Sequence, residues 1–224
     1  YKRNEEPVIV DNKCLSCGEC ISACDSGALA DKIEFVPLID LLKDKATPVY
    51  ASVAPAIVGQ FGDDVSMGQL RTALKLLGFR DMVETALFAD ILTIKEAFEF
   101  SRLVQKEGDF FLTSCCCPVW FNMTKKHYPR LFEHMSPSVS PMIASGRILK
   151  KLYPGARVVF ISPCIAKKAE IKEPELRGAI DFVINFRELK EIFTALNINL
   201  SELPSDEKDQ ASLGGRIYAR TGGV

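Results

Sequence analysis

The sequence predicts an α/β fold, a parallel sheet of about four strands flanked by helices, with a small cysteine-rich module before it. From residue 47 onward, short apolar segments alternate with amphipathic helical patterns, as strands joined by crossover helices do. Before residue 37, four of the eight cysteines fall close together between positions 14 and 24. We therefore divide the chain into a module over residues 1–36 and an α/β domain over residues 37–224.

The module is defined by "CLSCGECISAC", which has the C-x2-C-x2-C-x3-C spacing of bacterial ferredoxins and predicts a 4Fe-4S cluster. Gly18 would permit the tight turn that brings backbone N–H groups toward the cluster sulfurs. A structural zinc site is the alternative, although zinc knuckles usually pair two C-x2-C units across a longer gap. Asp25 replaces the usual proline, and the chain has no second run. The predicted ligands are Cys14, Cys17, Cys20 and Cys24.

Four segments have the composition of strands buried on both faces, because they are short, mostly apolar and rich in β-branched or aromatic residues. They are 48–54, 109–114, 156–162 and 181–186.

Capping patterns predict the helix boundaries. The S-x-x-Q pattern that begins at Ser66 would open a helix that Gly78 closes, and the T-x-x-E pattern that begins at Thr93 would open a helix that Gly108 closes. Further helices are expected over 119–127, 140–152 and 187–196.

Composition excludes several classes of partner. A net charge of −1 leaves no basic footprint for nucleic acid. No apolar window approaches the length of a membrane span, and "YKRNEEPVIV" lacks the apolar core of a signal peptide. The cysteine layout suits iron-sulfur or zinc ligation in a reducing cytoplasm better than a secreted disulfide scaffold.

Cysteines follow two of the predicted strands. Residues 109–114 run into three consecutive cysteines at 115–117, and residues 156–162 run into Pro163 and Cys164. Ligands bind beyond the carboxyl ends of parallel strands, so a shared site is expected there, with the loop "SVAPA" beside it. The alternative is that Cys164 and one or two of the triplet are buried as small apolar side chains, a common fate of free cysteine.

These loops resemble a known family. "TSCCCPVW" and "SPCIAKKAE" are similar to the first two signature segments of FeFe (iron-only) hydrogenases, commonly TSCCPxW and MPCxxKxxE. "SVAPA", "SVSPM" and the terminal "GGRIYARTGGV" occur in the expected order, so the resemblance covers nearly the whole chain. It implies that the sheet is one lobe of the hydrogenase catalytic domain.

The resemblance implies an H-cluster, a 4Fe-4S cubane held by four cysteines and bridged to a two-iron centre with CO, CN and dithiolate ligands. Cys117 and Cys164 would be two of the cubane ligands. Cys116 would be the unligated thiol that passes protons, and Lys167 would donate to a cyanide ligand. The loops expected to line the cofactor contribute Ala54, Pro55, Ser140 and Pro141.

The family's proton path implies further residues, namely Glu99, Ser136 and Glu96 behind Cys116. Taken without the resemblance, Glu96 would be only the capping partner of Thr93, Glu99 would be solvated, and Ser136 would cap a turn. Glu170 is expected to be a structural ion-pair partner near the second loop, or else a plain surface residue.

Three departures from the family pattern stand out. Cys115 is an extra cysteine without an assigned role, and Ser162 replaces the methionine expected before the proline of the second motif. The sequence ends at Val224, before a third signature segment that would carry the last two cubane cysteines. We therefore expect a fragment of a larger hydrogenase that is inactive by itself.

The implied function is reversible reduction of protons to H2, with electrons from a ferredoxin or similar carrier and with maturation proteins as further partners. One alternative is an H2-sensing or cluster-carrying relative with little turnover. Another is a thiol-based redox enzyme, which would need a resolving cysteine pair and would leave Cys164 and Lys167 unexplained.

Overall fold

The computed structural model describes residues 13–208, 211–220 and 222–223. Four parallel strands in this part of the chain are β1 Val49–Val53, β2 Asp81–Glu84, β3 Arg157–Ser162 and β4 Phe182–Asn185. They form one sheet in the order β2-β1-β3-β4. The predicted fold class is confirmed. The start of the predicted module, residues 1–12, and two positions of the terminal motif, Thr221 and Val224, lie outside the described residues.

The helices are α1 Glu19–Ser22, α2 Phe35–Lys43, α3 Met67–Leu77, α4 Ala86–Leu103, α5 Pro118–His127, α6 Pro129–Phe132, α7 Pro141–Leu152, α8 Ala166–Glu170, α9 Phe186–Ala195 and α10 Leu213–Ile217. Two 3-10 turns cover Pro55–Ile57 and Leu200–Glu202. In the part of the chain that is described, no helix is both long enough and apolar enough to cross a membrane.

The centre of the sheet is buried on both faces. Every residue of β1 is buried, and Ala51 lies opposite Met82 of β2 and Val159 of β3. Helix α7 packs on β1 and β3, α9 packs on β3 and β4, and α3 packs on β2. Because both faces are covered, the central strands are continuous apolar runs, as the sequence indicated.

Local capping explains where several helices begin. The capping box at Ser66 is present, with the Ser66 hydroxyl accepting from Gln69 N–H and the Gln69 side chain accepting from Ser66 N–H, and Gly78 ends α3 with a φ of 107°. A second capping box, which the sequence analysis missed, joins Asn185 and Glu188 at the start of α9.

The segment 109–114 was wrongly predicted to be a strand of the sheet. Its β-type pairing is a single isolated bridge between Leu112 and Met135. The edge position beside β1 is occupied by β2, residues 81–84. The sequence "DMVE" is a weak strand by composition. Its pairing with β1 is supported by ion pairs from Arg71, Lys75 and Lys208 to Asp81, which composition does not reveal.

The helix predicted to open at Thr93 opens earlier. Thr93 lies inside α4, where its hydroxyl bonds to the carbonyl of Ala89, and Thr93 is therefore not a cap. The helix ends at Leu103, before Gly108. Residues 86–92 are so apolar that helical periodicity is hard to read there, and burial decides their conformation.

Candidate functional site

A cavity of about 170 Å³ opens beyond the carboxyl ends of β1 and β3. The chain leaves β1 through Ala54 and the Pro55–Ile57 turn, and it leaves β3 through Pro163 and Cys164. This is the edge at which open α/β sheets place ligands. The residues predicted to act in the site that line this cavity are Ala54, Pro55, Cys116, Pro141 and Lys167. Ser162, the residue that departs from the family motif, also lines it.

The cysteine triplet reaches this edge by another route than the one predicted. Only Cys164 follows a strand of the sheet, whereas the triplet follows the Leu112 bridge and a left-handed backbone at Ser114, with φ of 66°. The Lys167 ammonium donates to the carbonyl of Cys116 at 2.7 Å and so joins the two cysteine loops. The shared site therefore depends on a side chain that bridges the loops.

The three consecutive thiols have different surroundings. Cys115 is buried and its thiol lies 3.8 Å from the carbonyl of Val139. Cys116 is half-buried on the cavity wall, and Cys117 is exposed at the N-cap of α5, where its sulfur accepts from Trp120 N–H at 3.5 Å. Burial raises the pKa of Cys115 and of Cys116, and the Glu96 carboxylate raises both further. Both thiols are therefore held in the protonated form.

The buried pair of Lys167 and Glu170 lies beside the cavity. The Lys167 ammonium is 2.6 Å from Glu170 Oε2, and Glu170 Oε1 accepts from the Ser140 hydroxyl at 2.5 Å. Each of the three residues is at most 9% exposed. The expected ion-pair role of Glu170 is confirmed. Buried charges need such partners, and Glu170 together with the Cys116 carbonyl fixes the lysine ammonium at the cavity.

The residues predicted for the proton path lie behind the triplet. Ser136 donates to Glu99 Oε2 at 3.3 Å, and Ser138 donates to the same oxygen at 3.4 Å. Glu99 is buried, which excludes the solvated alternative, and its other oxygen lies 3.2 Å from the ammonium of Lys95. Ser136 also accepts from Ser138 N–H, so it caps its turn as well.

Glu96 is buried close to the thiols of Cys115 and Cys116, whose pKa values it raises. It lies one helical turn before Glu99 on α4. The prediction that Glu96 is the capping partner of Thr93 is wrong, because Thr93 lies inside the helix. Its Oε1 atom has no hydrogen-bond partner among the described residues, although the residue is only 7% exposed. A buried unpartnered carboxylate oxygen costs free energy, so it marks a place where a water or a proton donor is expected.

Tyr218 is a cavity residue that the sequence analysis did not single out. It lines the cavity, and its hydroxyl lies 2.8 Å from that of Thr93. Helix α10 is joined to the end of β2 by a bidentate pair of Arg216 with Glu84, both contacts at 2.9 Å. It also packs on α4, where a Cβ at Gly215 would overlap the carbonyl of Ala86. The sequence signal for Tyr218 was its position in the terminal motif "GGRIYARTGGV", but only the packing of α10 on α4 brings it to the cavity.

The four cysteines of the module are all described, and none is buried. Within the described residues no three Cys, His, Asp or Glu side chains converge closely enough to hold a metal ion. The donor set nevertheless suits an iron-sulfur cluster. Backbone N–H of Ser16 points to the sulfur of Cys14 at 3.4 Å, and hydrogen bonds from Ser26 and from backbone N–H groups lower the pKa of Cys24.

Comparisons with known proteins agree with the family resemblance of the cysteine loops. The family model described as "Iron only hydrogenase large subunit, C-terminal domain" matches residues 47–224. The chain is 31% identical to "NADP-reducing hydrogenase subunit HndD" of Solidesulfovibrio fructosivorans over 96% of its length, and 31% identical to "Iron hydrogenase 1" of Clostridium pasteurianum over all of it. It covers 42% and 50% of those two proteins, so it spans about half of the relatives it matches.

Other similarities are more distant. The chain is 24% identical, over 88% of its length, to "Cytosolic Fe-S cluster assembly factor NAR1" of Yarrowia lipolytica. The solved structure of FeFe-hydrogenase HydA1 from Chlamydomonas reinhardtii superposes with a TM-score of 0.70 at 28% identity, covering 79% of this chain and 51% of that one. On the family match and the shared fold, the chain belongs to the iron-only hydrogenase large-subunit family.

Proposed function

We propose that this chain contributes the first cysteine loops and the proton path of an FeFe hydrogenase that interconverts H2 with protons and electrons. The observation that supports it most is the placement of Glu96, which is buried with an unpartnered oxygen, acts on the thiols of Cys115 and Cys116, and lies one helical turn before Glu99. A protein that only stored a cluster would have no need of a buried acid at that point.

The H-cluster fits the donor set of the cavity edge. Cys117 and Cys164 would supply two of the four cubane thiolates, and the backbone N–H directed at the Cys117 sulfur is typical of a cluster ligand. When bound, the two-iron part of the cofactor supplies the hydride and proton chemistry. Lys167 offers its ammonium to an anionic ligand inside the cavity, and Ala54, Pro55 and Pro141 line the walls. Ser140 acts behind the wall, where its hydroxyl donates to Glu170.

The chain's own residues would move the proton. The Cys116 thiol, kept protonated by burial, delivers a proton into the cavity and recovers one from the Glu96 carboxyl. Glu96 would be resupplied by a concerted shift through Ser136, in which the hydroxyl rotates from Glu99, releases its proton to Glu96 and takes up the proton of the Glu99 carboxyl. Glu99 Oε1 contacts Lys95, whose side chain is 56% exposed, and this contact connects the path to solvent.

Electrons would enter through the module over residues 1–36. Cys14, Cys17, Cys20 and Cys24 would hold a 4Fe-4S cluster that accepts electrons from a ferredoxin-type carrier. The module contacts the catalytic part of the chain, because Lys126 donates to the Cys14 carbonyl at 2.7 Å and Gly18 lies against Ile165, the residue after Cys164. We place the protein in the cytoplasm, where thiols stay reduced and maturation proteins can load it.

A second candidate is a cluster-carrying role in iron-sulfur assembly, which is favoured by the similarity to the NAR1 assembly factor. Such a protein would share the cysteine loops but would not need a proton path. The two candidates differ in turnover, and that difference can be measured.

The test combines reconstitution with spectroscopy. The full-length protein that contains this chain is loaded with iron and sulfide, and a synthetic two-iron complex is added. H2 evolution from a reduced mediator is assayed beside infrared spectra of the CO and CN stretches. H2 evolution together with the infrared bands supports the hydrogenase. Bands without evolution would reject turnover and leave the cluster carrier, and the absence of bands would reject the H-cluster for this chain.

The register through the triplet is tested by comparing Cys116→Ala with Cys115→Ala. We expect the first substitution to abolish evolution and the second to preserve most of it. The reverse result would show that Cys115, which lies beside Glu96, is the proton-carrying thiol.

A further inference from the structure

A buried group of charges lies next to the candidate site, on the same short helix α8. The ammonium of Lys168 lies 2.7 Å from Asp31 Oδ2, 2.7 Å from the carbonyl oxygen of Lys32, and 3.1 Å from each carboxylate oxygen of Glu188. The side chains of Lys168 and Glu188 are each 7% exposed. Consecutive lysines on α8 therefore serve different places, since Lys167 points to the cavity and Lys168 points to this group, which we call the α8 charge cluster.

The α8 charge cluster joins the end of the cysteine module to the sheet. Glu188 accepts from Asn185 N–H at 2.7 Å and from Glu34 N–H at 3.3 Å. Glu34, itself buried, accepts from Val183 N–H of β4 at 3.2 Å. Residues 31–34 are thus bonded to β4, to the start of α9 and to α8, although the sequence analysis assigned them to a separate module.

Lys168 is held in its charged form. Burial alone would lower the pKa of Lys168, but the hydrogen bonds to Asp31 and Glu188 outweigh it, and the pKa lies above its usual value. Two carboxylates and a carbonyl around one ammonium provide the compensation that a buried charge requires. Such a cluster tolerates little displacement, because moving Asp31 away leaves the lysine under-coordinated.

The same helix also contacts the middle of the cysteine run. A Cβ added at Gly18 would overlap the side chain of Ile165, the N-cap residue of α8, so the run packs directly on α8. A polar contact of the run with the catalytic part, from Lys126 to the Cys14 carbonyl, involves an exposed lysine. Exposed contacts of this kind contribute little, so the buried one decides where the module sits.

We propose that Lys168 is a positioning residue that anchors the cysteine module, over residues 13–34, against the loop of Cys164. By this assignment a single helix of five residues positions both the cavity cation and the electron-entry module. The anchoring itself is independent of the proposed function, whereas its value for electron delivery rests on it.

The test is hydrogen exchange followed by mass spectrometry on the chain without added iron. Because Lys168→Met leaves Glu188 buried without its cation, the sharper variant is Asp31→Asn, which weakens the anchor on the module side and keeps the Lys168–Glu188 pair. We expect amides of residues 13–34 to exchange about tenfold faster in Asp31→Asn, because one charge-assisted hydrogen bond is lost. Amides of β1 should keep their protection. Lys168→Met should accelerate residues 13–34 at least as much.

Lys126→Met is the matched control, since it removes the exposed contact to the same run, and its exchange should stay within about twofold of the parent. Unchanged exchange of residues 13–34 in Asp31→Asn would overturn the proposal. Equal acceleration in β1 and in residues 13–34 would overturn it as well, because the cluster would then stabilise the whole fold and position nothing in particular. Neither outcome bears on H2 evolution, so this proposal and the proposed function can fail separately.

Discussion

The cavity and the cysteine module hold the chain's cysteines in opposite ways. At the cavity, Cys115 is buried, and Lys167, Glu170 and Glu96 are buried around the half-buried Cys116. In the module no cysteine is buried, and helix α1 has no buried residue at all. The comparison indicates that the cavity is built by the folded chain before any cofactor arrives, whereas the cysteine run itself, residues 14–24, has few buried side chains to hold it and would gain its final shape from the cluster.

The largest expected effect is the loss of the cavity cation. Lys167→Met removes the partner of Glu170 and leaves a buried carboxylate uncompensated, so the free energy of unfolding should fall by about 3 to 5 kcal/mol. Denaturant unfolding followed by circular dichroism measures it.

The control for Lys167→Met is Arg187→Met, which removes an exposed i,i+4 pair with Glu191 and should cost less than about 0.5 kcal/mol. Equal costs at the two positions would mean that the cavity is not preformed.

The next largest effect concerns the unpartnered acid. Glu96→Gln cannot pass a proton, and in the loaded hydrogenase we expect H2 evolution to fall by about 100-fold, the usual scale of general acid-base catalysis. The free energy of unfolding should change little, because glutamine keeps the shape of the side chain and Oε1 has no hydrogen-bond partner to lose.

Glu107→Gln, at an exposed position four residues beyond α4, serves as the control for Glu96→Gln and should leave evolution unchanged. Full activity of Glu96→Gln would remove this residue from the proton path.

A smaller effect is expected where α10 closes the cavity. Gly215→Ala places a Cβ against the carbonyl of Ala86, and relieving that overlap should cost about 2 kcal/mol in the free energy of unfolding and displace Tyr218 from Thr93. The neighbouring Gly214→Ala meets only the side-chain oxygens of Ser212 and Asp90, at 3.2 and 3.5 Å, and should cost much less. The two variants are compared by thermal unfolding. Coinciding midpoints of unfolding would contradict this packing.

The smallest effect on folding is expected in the module. Cys17→Ser changes an exposed thiol, so the free energy of unfolding of the iron-free chain should change by less than about 0.5 kcal/mol. The same variant should bind iron poorly on reconstitution, because one of four cluster ligands is missing. Iron analysis and unfolding, measured on one preparation, separate the two effects, and a large loss of stability without iron would show that the module is packed more tightly than its exposure indicates.

Much of the fold could be predicted from local sequence patterns. The capping box at Ser66, the terminating Gly78 and the apolar runs of β1, β3 and β4 are short-range signals that the structure confirms. The two errors in strand assignment have one cause. "DMVE" was missed and "DFFLTS" was wrongly placed in the sheet, because strand pairing depends on what lies opposite and composition records only the segment itself.

The candidate site also has residues that local spacing predicts and contacts that it does not predict. Motif spacing selected Cys116, Cys117, Cys164 and Lys167, because adjacent residues of one loop stay adjacent after folding. That Lys167 bonds to the carbonyl of Cys116, 51 positions away, could not be inferred from spacing, and neither could the arrival of Tyr218 from α10.

By itself, the sequence determined the fold class and the family, since these depend on residue type and local spacing. Tertiary structure alone decided which charges are buried together, with Lys167 turned to the cavity and Lys168 to Asp31 and Glu188. Two neighbouring lysines look alike in a sequence. They differ in the fold because a side chain's partners are set by the elements packed around it, and a buried ammonium is stable only where such partners converge.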